Sequence, residues 1–174
     1  MRSSPAPAGS TTTGTSTERV LIGGVGYRHL RDLSVGPWVA DTLAVEARNG
    51  VEVEDVSYHP VGLSQNLEER PPYARVVLVG SLPRGREPGT VAAYRWDGRL
   101  PDRDEVQQRV SEAVTGVISL ENTLIVCGAL GGLPRDVRVV EVEPEDQGWG
   151  DGFSPTIESR LREVVEAVWN STRP

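Results

Sequence analysis

The residues of this chain best suited to chemistry concentrate in one passage, Arg19 to Pro37, where glycines at 23, 24 and 26 precede a single aspartate, Asp32. Val20 to Ile22 form a short apolar run ahead of those glycines, which is how a central parallel strand reads when helices cover both faces. In an open α/β sheet, ligands bind beyond the carboxyl ends of the strands, so this strand-to-loop passage is the first place to look for a site. The glycines could cradle a phosphate, but a dinucleotide fingerprint wants its third glycine where His29 stands. A nucleotide or small-molecule module is therefore the weakest of three functional readings. His29 and His59, the two histidines of the chain, both fall in predicted rim loops, where an imidazole can bind a metal or carry a proton. Cys127 lies in an apolar stretch and reads as core filler. Ser154, followed by Pro155, reads as a helix cap, since no nucleophile elbow surrounds it.

These residues need elements to position them. After the first strand, the spacing of Val35, Val39, Leu43 and Ala44 turns helical, with Pro37 tolerated near the start and Asn49-Gly50 as the stop. Val51, Val53 and Val56 suggest a second strand, ending at Asp55 and followed by the loop Ser57 to Pro60. Arg75 to Gly80 is the clearest central strand, and Thr90 to Trp96 is a further one beyond a loop rich in Pro, Gly and Arg. Asp102 and Glu105 have capping-box spacing, and Val106, Val110, Ala113, Val114 and Val117 predict a buried stripe on the helix that follows. Propensity alone reads Leu124 to Gly128 as strand. A last strand over Val137 to Val142 precedes an acidic loop, and Ile157, Leu161, Val164, Val165 and Val168 face the core from a closing helix. Alternation of this kind predicts an α/β fold, a mostly parallel twisted sheet with helices on both faces.

With 174 residues the chain suits one domain. A formal charge of −7, with arginines scattered among carboxylates, argues against nucleic acid as a partner. One cysteine excludes an internal disulfide and fits a reducing compartment, so a cytoplasmic location is expected. Residues 1 to 17 are almost all Ser, Thr, Pro, Ala and Gly and predict a disordered tail ahead of a domain over 18 to 172. No stretch approaches the roughly 20 apolar residues of a membrane span.

Four separated segments together resemble the [NiFe]-hydrogenase maturation endopeptidases. They are Gly24-Val25-Gly26 with Asp32 and Gly36; Arg75 to Gly80 with Glu87-Pro88-Gly89-Thr90; Ser119 to Leu124 running to Gly132-Leu133-Pro134; and Val139 to Glu145 with Gly152-Phe153-Ser154-Pro155. The resemblance implies a three-layer αβα sandwich around a mixed, mostly parallel five-stranded sheet, with helix rather than strand at Leu124 to Gly128. It implies an enzyme that removes the C-terminal extension of a hydrogenase large-subunit precursor, recognising nickel that the precursor already carries. The three family positions that meet that nickel are Leu33, Gly80 and Glu121 here. Glu121 keeps a carboxylate, and Asp32 next to Leu33 matches the first acid of the family's pair. The resemblance therefore nominates Asp32 and Glu121 as metal ligands, with His29 or His59 as a third. It nominates Gly24, Gly26, Asp55 and Gly80 as substrate-binding. Hydrolysis of the precursor is the first reading, and a non-catalytic relative that binds the precursor or a maturation factor is the second.

Overall fold

Five strands and the helices between them follow from the apolar runs of the sequence, and a computed structural model describes residues 18–46 and 48–174. The predicted tail, residues 1 to 17, lies outside the described residues. Strands β1 (Val20–Val25), β2 (Val51–Asp55), β3 (Arg75–Ser81), β4 (Val91–Arg95) and β5 (Val137–Val142) form one sheet in the order β2-β1-β3-β5-β4. All pairs are parallel except β4 with β5. β1 and β3 are buried along their full length, as continuous apolar runs covered on both faces must be.

The helices are α1 (Val35–Ala44), α2 (Pro60–Glu69), α3 (Arg103–Val114), α4 (Leu120–Leu130), α5 (Pro155–Glu158) and α6 (Leu161–Ser171). One core joins Val35, Val39 and Leu43 of α1 and Val164 and Val168 of α6 to Val77, Val79, Val140 and Val142 of the sheet. The other joins Leu63 and Leu67 of α2 and Leu120, Leu124 and Cys127 of α4 to Leu21, Leu78 and Val139. The result is the expected three-layer αβα sandwich with a mixed five-stranded sheet. Leu124 to Gly128 is helical: Ser119 caps α4 by accepting from the Asn122 N–H, and the helix packs flat on the sheet, so tertiary burial overrides strand propensity.

Three local expectations are corrected, and one further helix is added. Helix α1 ends at Ala44, well before Asn49-Gly50, because its next apolar residue, Val45, is exposed and has no core to join. Helix α2, which buries Pro60, Leu63, Ser64 and Leu67 on one face, lies where the sequence reading placed no helix. It is started by Pro60 and by His59, whose Nδ1 accepts from the Val61 N–H at 3.2 Å. The Asp102 cap of α3 forms as expected, yet of the predicted stripe only Ala113 is buried and Val114 is 65% exposed. That helix packs on α2 and α4 rather than on the sheet, so one narrow side suffices. The closing helix breaks at Ser159 and Arg160 into α5 and α6.

The chain leaves β1 toward β2 on one side, then returns past β1 to β3 on the other. The strand order therefore reverses between β1 and β3, and the crevice beyond their carboxyl ends is where such a sheet receives ligands.

Candidate functional site

A cleft of about 220 Å³ opens at that crevice. Val25, Gly26, Tyr27 and Leu33 line it from the β1 side; Ser81, Leu82 and Pro83 come from the end of β3. Ile118, Ser119 and Leu120 come from the start of α4, and Gln147 stands on the loop after β5. Its wall is mostly apolar. The Tyr27 hydroxyl ties the α3–α4 connection to this rim, accepting from the Ile118 N–H at 2.7 Å and reaching the Gly116 carbonyl at 3.4 Å.

Asp32 forms the frame of the cleft rather than its chemistry. The residue is fully buried in a short 3-10 turn over Arg31–Ser34. Its carboxylate accepts from the backbone N–H of Glu145 (2.9 Å), Asp146 (2.7 Å) and Ser154 (2.8 Å) and from the Ser154 hydroxyl (2.8 Å). Its own carbonyl accepts from the Ser81 hydroxyl at the end of β3. Four donors fill the acceptor capacity of a carboxylate, so the reading of Asp32 as a metal ligand gives way to that of a clamp. Ser154 is the predicted cap, accepting from the Ile157 N–H while it donates to Asp32. The preceding Arg31 holds a left-handed φ of 37°, which a bulky side chain adopts only under constraint; its N–H is bound to the Gly150 carbonyl.

Glu121 lies in the first turn of α4, and Arg84 (2.8 Å) and Arg109 (3.3 Å) share its carboxylate. It faces a second cavity of about 250 Å³ with Arg84, Tyr94, Trp96 and Arg99. The loop after β3 separates the two spaces: Leu82 and Pro83 line the cleft, Arg84 the second cavity. Asp32 and Glu121 thus share no partner and no cavity, and the structure does not bring them together as a ligand pair. Neither histidine completes a set. His29 is exposed and pairs through Nδ1 with Asp151 at 2.8 Å, while His59 caps α2. Among the described residues no three His, Cys, Asp or Glu side chains stand close enough to hold a metal.

The other nominated positions are placed as follows. Gly24 lets α1 approach the sheet, since a Cβ there would overlap the Gly36 carbonyl; Gly26 lines the cleft and does the same under the Leu33 carbonyl. Asp55 pairs with Arg28 at 2.6 Å and accepts from the Ser57 N–H at 3.0 Å, fixing the loop after β2. At Gly80 a Cβ would come 2.5 Å from the Val25 carbonyl oxygen and 3.7 Å from Leu120 Cβ. The strands have closed over the position where the family carries an acid.

What sequence reasoning missed is the cleft lining itself, Tyr27, Leu82, Ile118 and Gln147, which belongs to no motif. It also missed the arginine loop after β3. Glu143 accepts from the backbone N–H of Arg84 (2.8 Å) and Gly85 (3.0 Å), and Glu141, fully buried on β5, pairs with Arg86 and accepts from the Tyr94 hydroxyl at 3.0 Å. Desolvation, reinforced by that carboxylate, pushes the Tyr94 phenol up to about 12. Glu141 inside β5 and Glu143 just after its end, two buried acids, are the signal that could have found this loop.

Cys127 is buried, its thiol donating to the Pro60 carbonyl at 3.2 Å, and burial pushes it up to about 12. It should stay unreactive toward a disulfide reagent at mildly alkaline pH while the protein is folded and titrate fully on unfolding. Fast labelling of the native protein would contradict the core-filler reading.

No family model matches the chain, and no curated protein matches it. Solved structures do. The hydrogenase 2 maturation peptidase from Thaumarchaeota archaeon SCGC_AB-539-E09 is 23% identical over 89% of this chain and 98% of its own, with a TM-score of 0.63. The hydrogenase maturating endopeptidase HybD from E. coli is 22% identical over 89% and 92%, with a TM-score of 0.67. The [NiFe] hydrogenase maturation protease HybD from Thermococcus kodakarensis is 16% identical over 89% and 99%, with a TM-score of 0.57. The fold of this chain is that of the hydrogenase maturation peptidases, over nearly its whole described length.

Proposed function

We propose that the protein acts in the C-terminal processing of a [NiFe]-hydrogenase large-subunit precursor, as the endopeptidase that removes the extension. The observation that carries this reading is the cleft at the strand-order reversal of a sheet shared with several maturation peptidases. Its volume is below the roughly 300–1,000 Å³ that encloses a drug-sized ligand, so it suits side chains of a peptide better than a nucleotide. Ser119 and Leu120 line it from the start of α4, while the next residue, Glu121, faces the neighbouring cavity and stays paired with Arg84 and Arg109. Nickel enters this scheme as cargo of the precursor. Among the described residues no helix is long and apolar enough to cross a membrane.

The second reading, binding without cleavage, is favoured by one observation: Gly80 has no room for the family's acid and Leu33 supplies none. The experiment is incubation of the protein with nickel-loaded precursor, with mass analysis of the precursor C-terminus. Removal of the C-terminal extension by the wild-type protein supports the peptidase. An intact precursor retained on the immobilised protein supports the second reading, and neither trimming nor retention removes both.

A further inference from the structure

Each position that could read the precursor's metal is spent or closed. Leu33 presents an apolar side chain to the cleft. Gly80 lies where a Cβ would press on the Val25 carbonyl, so no side chain donor can stand there without moving β1. Asp32 has four donors on its carboxylate. Glu121 is bridged by two arginines, and one such carboxylate does not make the mixed oxygen and nitrogen set that selects a borderline metal. Both imidazoles are engaged elsewhere, His29 with Asp151 and His59 with the backbone of α2. What remains at the cleft is a mostly apolar surface made by Val25, Leu33, Leu82, Pro83, Ile118 and Leu120, whose polar members, Tyr27, Ser81, Ser119 and Gln147, carry neither an anionic nor an imidazole group.

From this, and resting on the function proposed above, we infer that the cleft selects its partner by burying apolar side chains of an extended segment of the precursor and does not read the metal, so that nickel-free and nickel-loaded precursor are bound alike. A solvated Ni²⁺ next to this wall would find no anionic or imidazole donor to replace its waters, and its charge would gain nothing from an apolar surface. Burial of apolar surface, in contrast, depends only on the sequence and accessibility of the segment. The reading predicts that discrimination between precursor forms, where the cell requires it, resides in the exposure of the precursor's tail.

The test is equilibrium binding of the full-length protein to precursor purified from nickel-replete and nickel-starved cells, alongside calorimetric titration of the protein alone with Ni²⁺. The expected result is dissociation constants within about threefold of each other and no stoichiometric uptake of Ni²⁺. A preference of about tenfold or more for the nickel-loaded form, or stoichiometric Ni²⁺ uptake, overturns the inference while leaving the processing role standing. Absence of binding to either form overturns the inference together with that role. Leu33→Glu locates the contact: a half-buried position facing an open cleft can solvate the new carboxylate, so the unfolding midpoint should stay close to wild type. Both precursor forms should then bind about tenfold more weakly or worse, and undiminished binding by this variant would place the partner elsewhere on the surface.

Discussion

Truncation of Asp32 to alanine should destabilise the protein by on the order of 3–5 kcal/mol. The carboxylate is fully buried and holds three backbone N–H groups and one hydroxyl; without it those donors face a dry cavity with no partner. Each buried donor left unpaired costs about 1–3 kcal/mol, and partial relaxation or an entering water recovers some of the sum. Urea unfolding of wild type and Asp32→Ala checks the figure. A metal ligand would behave differently, because removing a carboxylate from an open site relieves repulsion and leaves stability unchanged or improved. A change below about 1 kcal/mol would therefore restore the ligand reading and contradict the clamp.

Gly80→Asp, which returns the family acid to the end of β3, should cost roughly 3 kcal/mol or more and confer no nickel binding. A Cβ at 2.5 Å from the Val25 oxygen forces β1 and β3 apart at the point where they pair, and it brings a negative charge to the side of that carbonyl oxygen. Overpacking alone accounts for about 1–3 kcal/mol, and the unfavourable charge adds to it. Thermal unfolding together with Ni²⁺ titration reads both halves. Full stability in this variant would show that the strands part easily, and a regained nickel site would show that the cleft retains the other ligands.

The sheet was legible because its evidence is local. Val20 to Ile22, Arg75 to Gly80 and Val137 to Val142 are apolar runs of strand length, and each became a strand. Capping chemistry was equally readable: Asp102 and Ser154, both expected as caps, each accept the backbone N–H three residues on. Helix α2 was not legible because its start depends on His59 and Pro60, and its buried face carries only two large apolar side chains, Leu63 and Leu67. The stripe of α3 misled for the opposite reason: periodicity reports that a helix has an apolar side, not how much neighbouring structure exists to cover it.

The site was half legible. That function would lie beyond the ends of β1 and β3 follows from the glycines and from strand order, and a cleft is there. The role of Asp32 was not, because an acid in a rim loop looks the same in sequence whether it faces a ligand or is wrapped by N–H groups from residues 145, 146 and 154. Those donors come from more than a hundred positions away, and only the folded chain shows that they arrive.

One carboxylate and one carbonyl, both of residue 32, fasten the ends of β3, the loop after β5 and the start of α5 to the loop after β1. With Arg31 and Gly150 also cross-linked through their backbones, these segments make a single stiff collar, and none can swing out without the rest. Whatever adaptation accompanies docking must then come from the incoming polypeptide, so the pace of recognition should track how often its tail extends rather than how often this protein opens.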